Sequence, residues 1–132
     1  MTNPTLKASE NNFLKPLQLS GMHLKMHAYA WSPPTDVYET EACFVVRVEV
    51  AGMRRSDFTI NVEDNYIIIS GVRIDAQERR AYHQMEIRFG EFSTNVELPP
   101  GVNVDAAEAE YEDGFLTVLL PKRSEKSITK QG

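Results

Sequence analysis

The sequence predicts an all-β fold, two antiparallel sheets packed face to face, with an arm at each end of the chain. Three observations predict it. Residues 107–122 read AEAEYEDGFLTVLLPK. Asp113-Gly114 within them is a two-residue hairpin signal, because a type I′ turn needs positive φ at both central positions. From residue 36 onward, short apolar or alternating runs recur between Gly, Pro and Asp-Asn breaks, which is the spacing of an all-β chain. No long 3.6-residue period is sustained, so helix contributes little.

Each element has its own justification. Residues 36–40 read as a short first strand. Residues 43–50, CFVVRVEV, are β-branched and half alternating, and Ala51-Gly52-Met53 ends them. Residues 57–63 alternate cleanly, with Phe58, Ile60 and Val62 predicted inward and Asp64-Asn65 as the turn. Residues 66–71, YIIISG, are apolar at successive positions and read as buried on both faces. Residues 73–85 are polar and break the pattern; they predict a loop with a short extended piece near Ala81-Tyr82-His83. Residues 87–98 predict one long strand bent at Gly90, closed by Pro99-Pro100-Gly101. In the last hairpin, Tyr111 is predicted opposite Leu116, Ala109 opposite Val118, and Ala107 opposite Leu120. One face is then apolar, and the other sets Glu108, Glu110 and Glu112 beside Phe115, Thr117 and Leu119. A lone hairpin is marginal in water, so the apolar face needs a second sheet over it.

Organisation follows from the breaks. Residues 1–34 form a leading arm, residues 35–122 the β body and residues 123–132 a trailing extension, with Ser32-Pro33-Pro34 as the stiff junction. The arm holds Phe13, Leu14, Leu17, Leu19, Met22, Leu24 and Met26, interrupted by Pro4, Pro16 and Gly21. Leu19, Met22 and Met26 fit a short helical turn. Two readings of this arm stand side by side. Either it lends its flexible apolar side chains, Met above all, to variable partners, or it folds back on its own body.

Composition excludes several functions. The chain has 132 residues, 42% hydrophobic and 25% charged, enough for one globular domain. Its net charge of −5 argues against nucleic acid as a partner. The leading 34 residues carry three Lys against one Glu, and residues 122–132 carry four basic side chains against Glu125, leaving an acidic middle. The one cysteine, Cys43, allows no intrachain disulfide and reads as a buried, inert thiol. No run reaches the ~18 apolar residues of a membrane span, and no basic-then-apolar leader opens the sequence. A cytoplasmic location is the expectation.

Chemistry-bearing side chains are sparse in pattern. His23 and His27 stand four apart, but no acidic or cysteine partner accompanies them, so no metal is expected. His83 reads as a solvent-exposed loop residue. The three Glu of the hairpin suit a solvated, edge-protecting face better than paired catalytic carboxylates. Arg79-Arg80 reads as a loop salt bridge. No Ser, His and Asp pattern marks a nucleophile, and no Gly-rich loop with Lys-Ser/Thr cradles a nucleotide. Neither enzyme activity nor a cofactor is expected.

Ala109-x-x-x-Asp113-Gly114-Phe115-Leu116 with Pro121-Lys122, Phe89-Gly90-x-Phe92, Leu98-Pro99 and Ile69-Ser70-Gly71 resemble, in order and spacing, the small heat shock protein family, whose core is the alpha-crystallin domain. The resemblance covers about residues 33–122. It implies an immunoglobulin-like sandwich with flexible arms, and an ATP-independent holdase that keeps partly unfolded client proteins from aggregating. The seven large apolar residues of the arm named above are then the client contacts. The resemblance also implies a homodimer or small oligomers, with the loop of one chain, including Arg79, Tyr82 and His83, crossing to the first strand of the other. It implies further a groove, lined here by Ile60, Val62, Ala109, Tyr111 and Val118, that takes a neighbour's trailing extension.

Three departures stand out. The family usually has Arg at the positions of Ile87 and Thr94, so salt bridges made there are not expected. The trailing Ile/Val-x-Ile/Val motif is reduced to Ile128 followed by Lys130 at the second apolar position. A single buried Ile contributes about 1.5–3 kcal/mol, so weak higher assembly is expected. The alternative function is a β-sandwich co-chaperone module that docks on a larger ATP-driven chaperone. Such modules lack the apolar arm and the exchange loop that this chain has.

Overall fold

The computed structural model describes residues 30–123 and, as backbone, residues 5–7. The final hairpin forms as its pattern predicts. Asp113 (φ 53°) and Gly114 (φ 84°) both sit in the left-handed region, and their turn joins β7 (Glu108–Glu112) to β8 (Phe115–Pro121). Tyr111 pairs with Leu116, Ala109 with Val118 and Glu110 with Thr117. Ala107, Ala109, Leu116, Val118 and Leu120 are all buried.

Two antiparallel sheets result. The five-stranded sheet runs β1 (Thr5–Lys7), β7, β8, β3 (Cys43–Glu49), β2 (Thr35–Glu39). The three-stranded sheet runs β4 (Phe58–Glu63), β5 (Tyr66–Arg73), β6 (Gly90–Glu97). Their facing side chains form one core that includes Phe44, Val46, Val48, Phe58, Ile60, Ile67, Ile69, Phe92, Leu116 and Leu120. Each such residue withdrawn from water contributes about 1.5–3 kcal/mol before the entropy of ordering is counted. Aromatic rings thread this core: Trp31 lies 5.7 Å from Phe92, Phe92 6.1 Å from Phe58, and Phe58 4.9 Å from Tyr111. Gly71 makes room for the line, since a Cβ there would stand 2.8 Å from Phe92 and 2.7 Å from the Asp57 carbonyl.

Several local expectations need correction. The long strand predicted over 87–98 begins at Gly90 instead. Gly90 takes φ +95°, which turns the chain as it enters the ladder opposite Arg73, so residues 87–89 stay outside it. Residues 74–89 form the expected loop and carry no strand. Cys43 is half-buried, because it opens β3 at the end of the sandwich. Asn61, placed outward by the alternation of β4, is 2% exposed, and the Ile68 it pairs with is 8% exposed. Ile67, Ile68 and Ile69 are all buried, in keeping with a strand covered on both faces.

Candidate functional site

The sandwich has two long sides, and the residues singled out above divide between them. On the first side, residues 31–35 cross from one sheet to the other. The Trp31 amide donates to the Glu91 carbonyl at 3.1 Å, and the Ser93 amide donates to the Trp31 carbonyl at 2.9 Å, so Trp31 bridges the edge of β6. The indole N–H donates to the Gly90 carbonyl at 3.4 Å. The Thr35 and Thr94 hydroxyls meet at 3.1 Å. This places Thr94, one of the departures from the family pattern, in a part-buried hydroxyl pair. β2 is the last strand of its sheet, and among the described residues nothing pairs with its outer edge. Val37 and Tyr38 on that strand are 45% and 43% exposed.

The loop of residues 74–89 joins β5 to β6. Its first half is tied to itself. Arg80 pairs with Asp75 at 3.1 Å and with Glu78 at 3.0 Å, and its guanidinium donates to the Tyr82 hydroxyl at 2.8 Å. Arg80 thus forms the loop salt bridge expected of the Arg79-Arg80 pair. The Asp75 carboxylate accepts the Ala76 amide, and this bond, with Arg80 and the Tyr82 hydroxyl, holds its pKa below the ordinary 3.8 against an opposing desolvation. Arg79, Tyr82 and His83 are exposed. The second half presents a row of apolar side chains to solvent: Met85 is 66% exposed, Ile87 67% and Phe89 36%. Spaced two apart, they would share one face of an extended strand.

On the second side stand β4 and β7. Ile60, Ala109 and Val118 are buried within the core cluster, with Val62 and Tyr111 packed against it. Tyr111 is held there: its hydroxyl donates to the Val50 carbonyl at 2.8 Å and accepts the Met53 amide at 3.3 Å. Along β7, however, Thr5, Leu6 and Lys7 pair with Glu110, Ala109 and Glu108. For that short piece the leading arm does turn back on its own body, the second of the two readings.

Phe13, Leu14, Leu17, Leu19, Met22, Leu24 and Met26 lie outside the described residues, as do His23, His27 and Ile128. Among the described residues, no group of three or more His, Cys, Asp and Glu side chains is placed to hold a metal ion. No helix among them is long and apolar enough to cross a membrane. An open cleft of about 770 Å³ at one end of the sandwich is lined by Phe44, Pro99, Val102 and Lys122 among others. Lys122 there pairs with Glu39 at 3.0 Å. The sequence reading passed over Trp31, Arg73 and Phe89 as a group. Their contacts span 42 and 16 positions of chain, and no spacing rule reaches that far.

The comparisons agree with this architecture. Small heat shock protein C2 of Rickettsia felis is 31% identical over 100 residues, 74% of this chain and 65% of that protein, just under two thirds of its length. Heat shock protein 16 of Schizosaccharomyces pombe is 34% identical over 104 residues, 76% of this chain and 72% of that one. The structure of HSP18.5 from E. histolytica superposes with a TM-score of 0.65 at 26% identity, covering 73% of this chain and 92% of the other. The profile of the Hsp20/alpha crystallin family matches residues 36–131, nearly the whole β body and the trailing segment, and the chain therefore belongs to that family.

Proposed function

We propose that this protein is an ATP-independent holdase that captures partly unfolded proteins and works as a homodimer or small oligomer. The observation that carries the reading is the combination of family membership with an acidic body on which, among the described residues, one strand edge is unpaired and a row of apolar side chains is exposed. Exposed apolar surface on a highly charged scaffold is the arrangement a holdase needs: it binds sticky partners without aggregating itself.

The client contacts are Phe13, Leu14, Leu17, Leu19, Met22, Leu24 and Met26 of the leading arm. The dimer forms when the 74–89 loop of one chain adds to the Thr35–Glu39 edge of another. An open edge is a template for such an addition and a hazard when left uncovered. Arg79, Tyr82 and His83 belong to this loop, and the row Met85, Ile87, Phe89 is its pairing face. Higher assembly is weak, for two reasons. The trailing extension offers Ile128 alone, and the edge of β7 beside Ile60, Val62, Ala109, Tyr111 and Val118 is already paired with Thr5–Lys7.

The test is to heat a labile protein with this one, without ATP, and follow turbidity. Suppression near one-to-one, lost on deleting residues 1–30, supports the holdase and its arm. Suppression undiminished by the deletion removes the arm from the account. No suppression, with tight docking to a large ATP-driven chaperone, establishes the co-chaperone module instead. A large particle that survives dilution in light scattering would refute weak assembly.

A further inference from the structure

Arg73, the last residue of β5, holds three distant pieces of chain at once. Its Nε and Nη2 donate to the Arg88 carbonyl at 3.0 Å and 2.6 Å, and its Nη1 donates to the Ala51 carbonyl at 3.2 Å. The guanidinium carbon lies 4.7 Å from the centre of the Trp31 ring and 5.3 Å from that of Phe89. Trp31 is where the leading arm joins the body, and Arg88-Phe89 is where the loop ends. We propose that Arg73 is a positioning residue that ties the root of the arm to the closing end of the loop, so that shifting either one loosens the other. This rests on the reading of the 74–89 loop as the dimer element.

The chemistry favours arginine at this position. A planar, permanently charged guanidinium stacks on aromatic faces and donates in several fixed directions, whereas a lysine ammonium is a compact charge on a flexible stem. Here two rings and two carbonyls surround one fork, and an ammonium cannot serve the Ala51 and Arg88 carbonyls and both rings together. The loop leaves the body at Arg73 and returns opposite it at Gly90. The pairing row Met85, Ile87, Phe89 therefore departs from a base whose direction Arg73 sets. Trp31 is held on the other side by its bridge to β6, and through Arg73 its ring shares a partner with Phe89. Two sites that share one partner are coupled, and the coupling is reciprocal.

Trp31 is the one tryptophan of the chain, so its emission reports on the arm root without labelling. The experiment measures acrylamide quenching of Trp31 in the full chain, with sedimentation across a dilution series. In Phe89→Ala and Arg73→Ala, quenching should rise about twofold, with emission moving to longer wavelength. Arg73→Lys should behave like Arg73→Ala despite keeping the charge. Met85→Ser, on the same loop but away from the guanidinium, should leave Trp31 as it is. Reciprocally, Trp31→Ala should speed hydrogen exchange at the Arg73 Nε–H, which the Arg88 carbonyl holds, at least tenfold. All the Arg73 variants should dimerise at least tenfold more weakly than the parent.

Wild-type quenching in Phe89→Ala, or unchanged exchange at the Arg73 Nε–H in Trp31→Ala, would overturn the coupling. So would full rescue by Arg73→Lys. If Arg73→Ala fails to fold, Phe89→Ala and Arg73→Lys carry the decision. A parent chain that is monomeric at every concentration removes the dimer reading, while the quenching and exchange results still decide whether the arm root and the loop end are joined. Coupling lost with dimerisation intact refutes the tie and leaves the dimer standing.

Discussion

The two long sides of the sandwich solve the same edge problem in opposite ways. On the β4–β7 side, a strand from the arm pairs along the edge, and Tyr111 fastens the rim to the Val50 carbonyl and the Met53 amide. On the β2–β6 side, the outer edge of β2 has no partner among the described residues, and the loop that leads into β6 turns Met85, Ile87 and Phe89 to solvent. The residues that close the first side contribute to the stability of the chain itself. Those exposed on the second do not, and in the proposed dimer another chain covers them. An open strand edge and exposed apolar side chains are places for association.

The largest expected effect belongs to the core that both sides share. Phe92→Ala removes a ring that touches Trp31 and Phe58, and should cost about 3–5 kcal/mol in chemical denaturation. A loss confined to one side, with the other still protected in hydrogen exchange, would break the picture of one core. Gly71→Ala comes next. Its new Cβ would collide with the Asp57 carbonyl and the Phe92 ring, and the overpacking should cost about 1–3 kcal/mol. A neutral result would mean that β4 and β5 separate more easily than their pairing indicates.

Tyr111→Phe sharpens the closed side. It removes a donor to Val50 and an acceptor for Met53, and should lower stability by about 1–2 kcal/mol, read from the denaturation midpoint, without changing the dimer. Ile87→Glu does the reverse on the open side. At 67% exposure the change should shift body stability by no more than about 0.5 kcal/mol, yet the dimer should be lost in sedimentation. Equal damage to both properties would show that Ile87 packs on its own chain.

The smallest effect is electrostatic. The pKa of Asp75 is lowered from 3.8, mainly by the Ala76 amide, with Arg80 and Tyr82 adding to it. A depressed carboxyl contributes above its unfolded value and loses that contribution as pH falls through the folded one. The Arg80–Asp75 pair should therefore open below pH 3.8. Carboxyl chemical shifts would follow it, and the exposure of the pair keeps the effect on overall stability slight.

Much of the body was legible from periodicity. The Asp113-Gly114 turn, the register of Ala109 against Val118, and the doubly covered Ile67–Ile69 run all follow from local patterns that act within a few residues. The loop was legible as a break but not in its detail. Residues 87–89 alternate as a strand would, and Gly90 at positive φ nevertheless turns them out of the ladder. Asn61 alternates outward and is nonetheless buried. Ile60, Ala109 and Val118 were legible as apolar strand positions and are buried, yet nothing in residues 5–7 announced that these would pair along β7.

By itself, the sequence determined which stretches become strands, which face of each is apolar and where the tight turns fall, because these depend on side-chain alternation and on the φ tolerance of a few residues. Tertiary structure alone decided which edges are capped and which stay open, and that Trp31, Arg73 and Phe89 meet around one guanidinium. Those outcomes depend on how the two sheets lie against each other, a relation between residues far apart in the chain that no local pattern encodes.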